Sequence, residues 1–341
     1  MDKLRTNTTI KSAQLLKDSD FMNNEMVPTD IPAVNIALSG TICGGLTSGL
    51  TTIAGPSKHF KTAFGLLMMK AYLQSKPNAI ALFYDSEFGT PQKYFETFDI
   101  DMSRVLHSPI MDVEQLKIDI VKQLHELEKE DEVYIFVDSI GNLASHKEVQ
   151  DALDGKMVGD MTRAKGIKSL FRSVTPYLKS KNIPMVVVNH TYDSQEMFSK
   201  PVVSGGTGIY YSSDTIWIVG RRQQKEGTDV TGYQFVINVE KSRYVKEKSK
   251  IPVSVSFDGG IDKWSGLLDM ALDAGVISRS GAWYQLTDLE TGEIIEKKYR
   301  AKELVGNDVW NPILESESFK NYVQDKYMLV TDSIMEEEVE A

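Results

Sequence analysis

The chain has 341 residues, 41% hydrophobic and 25% charged, which suits a globular protein of two or three folded units. No apolar run approaches the roughly 20 residues of a membrane span, and the opening Met1-Asp-Lys-Leu-Arg-Thr-Asn-Thr-Thr9 lacks the apolar stretch of a secretion signal, so a cytoplasmic protein without a membrane partner is expected. The single Cys43 excludes an intramolecular disulfide, the five histidines show no zinc spacing, and the net charge of −10 argues at first sight against nucleic acid.

The distribution of charge matters more than its sum. Acid collects at Glu126 to Glu132 and Glu336 to Glu340, base at Arg163 to Arg172, Arg221 to Lys225 and Lys241 to Lys250. Each basic run is compatible with a phosphate-binding surface and equally with a solvated face.

In chain order, residues 1–30 carry a short amphipathic segment around Ile10 to Lys17 and too little apolar mass to fold alone, so they are expected to form an arm that docks elsewhere. From 31 to 258, apolar strand-like runs alternate with helical patterns, the signature of a largely parallel sheet with helices on both faces. The first strand, Leu50 to Ala54, runs into Gly55-Pro56-Ser57-Lys58-His59-Phe60-Lys61-Thr62, with a helix starting near Thr62. This is the layout of a phosphate cradle: backbone N–H groups and the helix N-terminus face the phosphates, Lys61 reaches the β/γ oxygens, and the Thr62 hydroxyl holds Mg²⁺. Phe60 stands where the usual pattern has its second glycine. ATP is therefore the expected cofactor, with Mg²⁺ as the expected metal.

The next strand, Ala79 to Tyr84, leads to Glu87, a candidate general base for hydrolysis, though a carboxylate there also suits the start of a following helix. Helices are expected from near Pro91 and Val113. The run Val133 to Val137 ends in Asp138, placed as a Walker B acid to order Mg²⁺ with Thr62. A basic helix is expected from near Asp160. The strand Met185 to Asn189 precedes His190, either a γ-phosphate sensor or a structural histidine. Tyr192 to Thr207, with Phe198, Lys200 and Gly205-Gly206-Thr207, reads as a mobile loop whose amides, cation and aromatic suit single-stranded nucleic acid. Strands at Thr215 to Val219, Phe235 to Val239 and Val253 to Phe257 follow. Gly259-Gly260 marks a break before a small α/β unit spanning 259–341 with an acidic end.

Taken together these residues resemble the RecA-type recombinases, most closely those of T4-like bacteriophages, whose cradle has the same G-P-S-K-x-F-K-[ST] form. The matches include Phe83-Tyr-Asp-Ser-Glu-Phe-Gly89, Asp138-Ser-Ile-Gly-Asn-Leu143, Asn189-His-Thr-Tyr192, Ser204-Gly-Gly-Thr-Gly208, Val239-Glu-Lys-Ser-Arg243 and Phe257-Asp-Gly-Gly-Ile261. The resemblance implies a RecA-like P-loop ATPase core, flanked by an N-terminal polymerisation arm and a small C-terminal domain. It implies that residues 55–62 and Asp138 bind nucleotide and metal, that Glu87 activates water and that Tyr94 stacks on the adenine. His190 falls at a sensor position commonly held by Gln. Lys241 and Arg243 match cations that reach the ATP of a neighbouring subunit. DNA would be met by loops at about 146–159 and 191–207 and by Arg163, Lys165, Lys168 and Arg172. Phe21 would anchor the arm on the adjacent protomer. The implied partners are single-stranded and homologous duplex DNA, further copies of the chain in a helical filament, and single-strand-binding and mediator proteins, in the cytoplasm of a host cell if the protein is phage-encoded. A ring helicase, a filament-regulating paralogue and a small-molecule kinase are the rival readings, distinguished by closed rings, by slow turnover and by an acceptor site.

Overall fold

The computed structural model describes residues 6–10, 12–19, 25–156, 162–194, 199–289 and 291–329. Phe21 and Phe198 lie outside them, as does the acidic end. Among the described residues no helix is long and apolar enough to cross a membrane.

The centre is a nine-stranded sheet. Its strands are β1 (Gly49–Ala54), β2 (Ile80–Asp85), β3 (Val105–Pro109), β4 (Val133–Asp138), β5 (Pro184–Asn189), β8 (Thr215–Glu226), β9 (Asp229–Lys241), β10 (Lys250–Ser256) and β11 (Gly260–Ile261), ordered β11-β10-β9-β8-β1-β5-β4-β2-β3. Two further strands, β6 (Thr191–Asp193) and β7 (Pro201–Val203), form a separate antiparallel pair. From β8 to β3 all neighbours run parallel, while β9, β10 and β11 add on antiparallel. The mostly parallel α/β architecture expected from the alternating pattern is borne out.

The central strands β1, β4 and β5 are buried at every position, which is why β4 and β5 read as near-continuous apolar runs; β1 also buries Thr51 and Thr52, the latter hydrogen-bonded to the Ser213 hydroxyl at 2.9 Å. Alternate residues supply opposite faces. Ile53, Phe136 and Val188 join one core with helix α2 (Lys61–Ser75), and Ala54, Ile135 and Val187 join the other with α4 (Val113–Glu126) and α6 (Thr162–Ser180). The first core also takes in α1 (Pro32–Ser39), whose Ala37 carbonyl accepts from the buried Trp217 indole at 3.2 Å.

Several expectations need adjustment. The sheet gains an edge strand, β3, where none was anticipated. β2 ends at Asp85, so Glu87 sits in the turn beyond the strand, ahead of α3 (Gln92–Thr97). Residues 146–153 of the first expected DNA loop form a helix, α5 (His146–Leu153), because Ser145 and Glu148 close a capping box. Among the described residues of 191–207, 191–193 pair with 201–203 as β6 and β7, and the segment leads into α7 (Thr207–Ser212). At Gly259-Gly260 the chain turns back within the main sheet, pairing Gly260 with Ser256. The last unit carries α8 (Leu267–Asp273), a three-stranded antiparallel sheet of β12 (Ile277–Ser280), β13 (Trp283–Thr287) and β14 (Ile294–Tyr299), then α9 (Asn307–Glu315) and α10 (Glu317–Tyr327). Among the described residues it shares the main core: Trp310, Phe319 and Tyr327 belong to the same buried cluster as Phe64 and Trp217. In the described part of the arm, Ile10 and Leu16 are exposed, and only residues from Val27 onward enter the core.

Candidate functional site

Parallel strands deliver their C-terminal ends to one edge of the sheet, and four adjacent exits define the site: β1, β5, β4 and β2, in that order. They bring the cradle, His190, Asp138 and Glu87 around one cavity of about 300 Å³, which Ser57 to Thr62 and Tyr94 also line.

The cradle begins where Gly55 leaves β1. A Cβ there would meet the Val219 carbonyl oxygen at 2.9 Å, so the close approach of β8 requires glycine. Phe60 keeps the backbone that a glycine would adopt, with φ 61° and ψ 16°, immediately before α2. Its ring stacks on Phe235 at 4.8 Å and meets Phe64 edge-on at 5.5 Å. Aromatic packing of this kind, worth about 0.5–1.5 kcal/mol per pair beyond area burial, offsets the roughly 1 kcal/mol cost of a left-handed non-glycine residue. Arg221 braces the outer side of the loop by donating to the Lys58 carbonyl at 3.2 Å while lying over the Tyr233 ring.

Lys61 is buried, and its ammonium donates to the Pro56 carbonyl at 2.8 Å. Desolvation lowers its pKa, against the opposing pull of Glu87 and Asp138. Thr62 Oγ1 donates to Asp138 Oδ2 at 2.7 Å. The other oxygen, Asp138 Oδ1, is buried without a hydrogen-bond partner among the described residues. Burial pushes the Asp138 carboxyl up to about 6, helped by the negative charges of Glu87 and Asp85 and opposed by the Thr62 hydrogen bond and by Lys61. An orphaned carboxylate oxygen beside a hydroxyl fits Mg²⁺, which takes one or two protein ligands and completes its octahedron with phosphate and water oxygens.

Glu87 Oε1 accepts from the buried Ser139 hydroxyl at 2.5 Å, and His190 Nε2 stands 3.3 Å from the same oxygen without a hydrogen bond. The His190 ring fits only because residue 141 is glycine: a Cβ there would lie 2.2 Å from His190 Cδ2. Asn189 ties this strand end to the second expected DNA segment, its Oδ1 accepting from the His190 N–H at 2.8 Å and its Nδ2 donating to the Ser204 carbonyl at 2.7 Å. Gly205 and Gly206 follow with φ of 96° and 75°, and Thr207 opens α7. Tyr94 projects from α3, half-buried and edge-on to Phe98.

Other expected site residues fall elsewhere. Lys241 ends β9 opposite Ile216, at the start of β8, and so lies at the far edge of the parallel strands from its own cradle. It donates to the Tyr210 carbonyl at 2.7 Å. Arg243 lies beyond the strand, paired with the buried Asp214. Arg163 turns inward and donates to the carbonyls of Leu143, Ile140 and Gly141 at 2.6, 3.0 and 2.7 Å. Lys165, Lys168 and Arg172 remain exposed on one side of α6, and Lys200 is exposed at the start of the β7 hairpin arm. The sequence reading passed over Ser86, Ser139 and Asn189, because a serine or asparagine after a strand carries no local signal of what it will touch.

Comparison with known proteins agrees with this geometry. The RecA N-terminal domain model matches residues 5–262, and the model of the bacteriophage T4 recombination and repair protein C-terminal domain matches residues 264–323. The chain is 50% identical over 345 aligned positions to the recombination and repair protein of Enterobacteria phage T4, spanning 99% of this chain and 88% of that protein. It is 25% identical to the RecA protein of Bacteroides thetaiotaomicron, over 86% of this chain and 87% of the relative. It is 26% identical to the mitochondrial DNA repair protein recA homolog of Dictyostelium discoideum, over 80% and 59% of the two chains. A phosphate cradle, a strand-end acid and a polar strand end converging at one edge of a parallel sheet, on a chain matched along nearly its whole length, place this protein in the RecA family.

Proposed function

We propose that the protein is a DNA-dependent ATPase that polymerises on single-stranded DNA, searches duplex DNA for homology and exchanges strands, with ATP and Mg²⁺ as cofactors. The observation that carries this reading is the Thr62–Asp138 pair with its orphaned Oδ1, set between Lys61 and Glu87 in one cavity. Residues 55–62 would bind the phosphates, Thr62 and Asp138 would hold Mg²⁺, and Tyr94 would stack on the base. When bound, the metal held by Thr62 and Asp138 would supply charge neutralisation for the phosphates. Glu87 is suited to orient and deprotonate the attacking water, because its carboxylate faces the cavity while one oxygen is already held.

Lys241 and Arg243 cannot serve their own cavity from the opposite strand edge, which supports their acting on the ATP of an adjacent protomer. The Asn189 clasp supports a link from the γ-phosphate, through His190, to Gly205-Gly206-Thr207, a switch in which nucleotide state sets DNA affinity. Lys165, Lys168, Arg172 and Lys200 would meet DNA phosphates, giving backbone-directed, salt-dependent binding in which base pairing reads the sequence. Phe21 would anchor a neighbour, and single-strand-binding and mediator proteins would act on the filament.

Electron microscopy with long single-stranded DNA and a non-hydrolysable ATP analogue tests this reading, with an analogue-free control. Helical filaments that need the analogue are expected. Closed rings, or particles that never assemble, would overturn it.

A further inference from the structure

The turn that carries Glu87 is fastened to the exit of β4 by a set of hydrogen bonds that the roles above do not use. The Ser86 N–H donates to the Asp138 carbonyl at 2.9 Å. The Ser139 N–H donates to Ser86 Oγ at 3.0 Å, and the Ser86 hydroxyl donates back to the Ser139 carbonyl at 2.6 Å. Ser86 Oγ thus holds both the N–H and the carbonyl of residue 139. Behind the turn, Asp85 Oδ1 accepts the N–H groups of Glu87 and Phe88 at 3.0 and 2.8 Å, and Asp85 Oδ2 lies 3.3 Å from His107 Nε2. With both backbones held, the Ser139 hydroxyl, itself fully buried, has its single proton on Glu87 Oε1 at 2.5 Å.

A carboxylate on a turn, with its side chain 39% exposed, has several rotamers open to it. Water activation in line with a phosphorus atom requires one of them, since small misplacements of a reacting group cost large factors in rate. The Ser139 hydrogen bond selects one. It occupies Oε1, leaves Oε2 to take the proton of an attacking water, and anchors the carboxylate to the same strand exit that holds Asp138. A solvent-facing glutamate with no such donor would spend part of its time pointed out of the cavity.

We propose that Ser139 is a positioning residue for the hydrolytic step: it orients Glu87 through its hydroxyl, and Ser86 keeps that hydroxyl in place. The proposal rests on the reading of Glu87 as the base that activates water.

The test compares Ser139→Ala, Glu87→Gln and the double variant in ATP turnover by the full chain on single-stranded DNA, with binding of a non-hydrolysable analogue measured alongside. A hydrogen bond to a charged group lost at the transition state predicts a fall in kcat of about ten-fold or more for Ser139→Ala. KM for ATP and analogue affinity should stay within about two-fold, because Ser139 touches no expected nucleotide contact. The double variant should be no slower than Glu87→Gln alone, since the hydroxyl acts only through that carboxylate. Ser86→Ala, which loosens the backbone but leaves the Ser139 hydroxyl, should give a smaller fall in kcat with the same unchanged KM, and it decides the matter if Ser139→Ala does not fold. An unchanged kcat in Ser139→Ala, a parallel loss of analogue binding, or additive losses in the double variant would each overturn the positioning role. Near-normal turnover by Glu87→Gln would instead remove Glu87 from the chemistry, and the positioning role with it.

Discussion

Asp138→Asn should make the nucleotide-free and metal-free protein more stable at neutral pH while weakening its response to Mg²⁺ and ATP. The carboxyl is 3% exposed and its pKa is pushed from 3.8 up to about 6, chiefly by burial. Because the folded-state value is raised, the folded protein holds this proton more tightly than the unfolded chain. The group's contribution to stability is therefore fully present below pH 3.8 and is lost as pH rises through 6. A difference of about two units corresponds to about 3 kcal/mol of destabilisation at pH 7.5, with about half of it already present at pH 5. Asparagine removes the charge and keeps an oxygen to accept from Thr62, but it places an amide where Oδ1 had no partner, costing about 1 kcal/mol. The net gain expected is about 2 kcal/mol, or several degrees in Tm for a chain of this size. Thermal unfolding in EDTA at pH 5 and pH 7.5 reads it: the variant should lead at pH 7.5, and its lead should shrink at pH 5. Adding Mg²⁺ and ATP should raise Tm of the wild type by more than that of the variant, which keeps the cradle but loses the metal's carboxylate. A variant no more stable than wild type at pH 7.5 would refute the argument that this site stores electrostatic strain for a cation to relieve.

Lys61→Ala should abolish ATP turnover, because the cradle loses the cation proposed to meet the β/γ oxygens; substantial residual hydrolysis would remove the site from the mechanism. Mixing Glu87→Ala protomers with Lys241→Ala protomers should partly restore hydrolysis if the Lys241 cation serves a neighbour's site, and no recovery at any ratio would count against a shared site. Gly141→Ala puts a methyl group 2.2 Å from the His190 ring; a stability cost of about 1–3 kcal/mol should accompany a weakened effect of nucleotide on DNA affinity, and unaltered coupling would separate His190 from the switch. Arg163→Ala should lower stability by about 2–3 kcal/mol, since three carbonyls lose a charged donor. Lys168→Ala should leave Tm unchanged and reduce the slope of log affinity against log salt by about 1; the opposite pattern would reverse the roles given to the two cations.

The strands that position the site were legible because burial on both faces demands uninterrupted apolar residues. Val133 to Val137 and Met185 to Val188 could have few other fates. The edge strand β3 was not legible. Its sequence, Val-Leu-His-Ser-Pro, pairs among the described residues with β2 alone and stays largely exposed, so it needs no apolar run. Helix α5 was hidden for a related reason: no residue of it is buried, and a capping box rather than an apolar stripe starts it.

The amino-acid sequence by itself determined the fold class, the order of the strands along the chain and the local chemistry of the cradle, since those depend on residue type and short-range spacing. The tertiary structure decided which strand exits became neighbours and how the side chains there divided their hydrogen bonds. Phe60 could take a glycine's backbone only because Phe235 and Phe64 receive its ring. Arg163 was drawn from a basic helix face to the carbonyls of another segment, and Ser139 found Glu87 across 52 residues of chain. Contacts between residues so far apart follow from the register of the sheet and the sharing of buried polar groups, and neither is written in any one stretch of sequence.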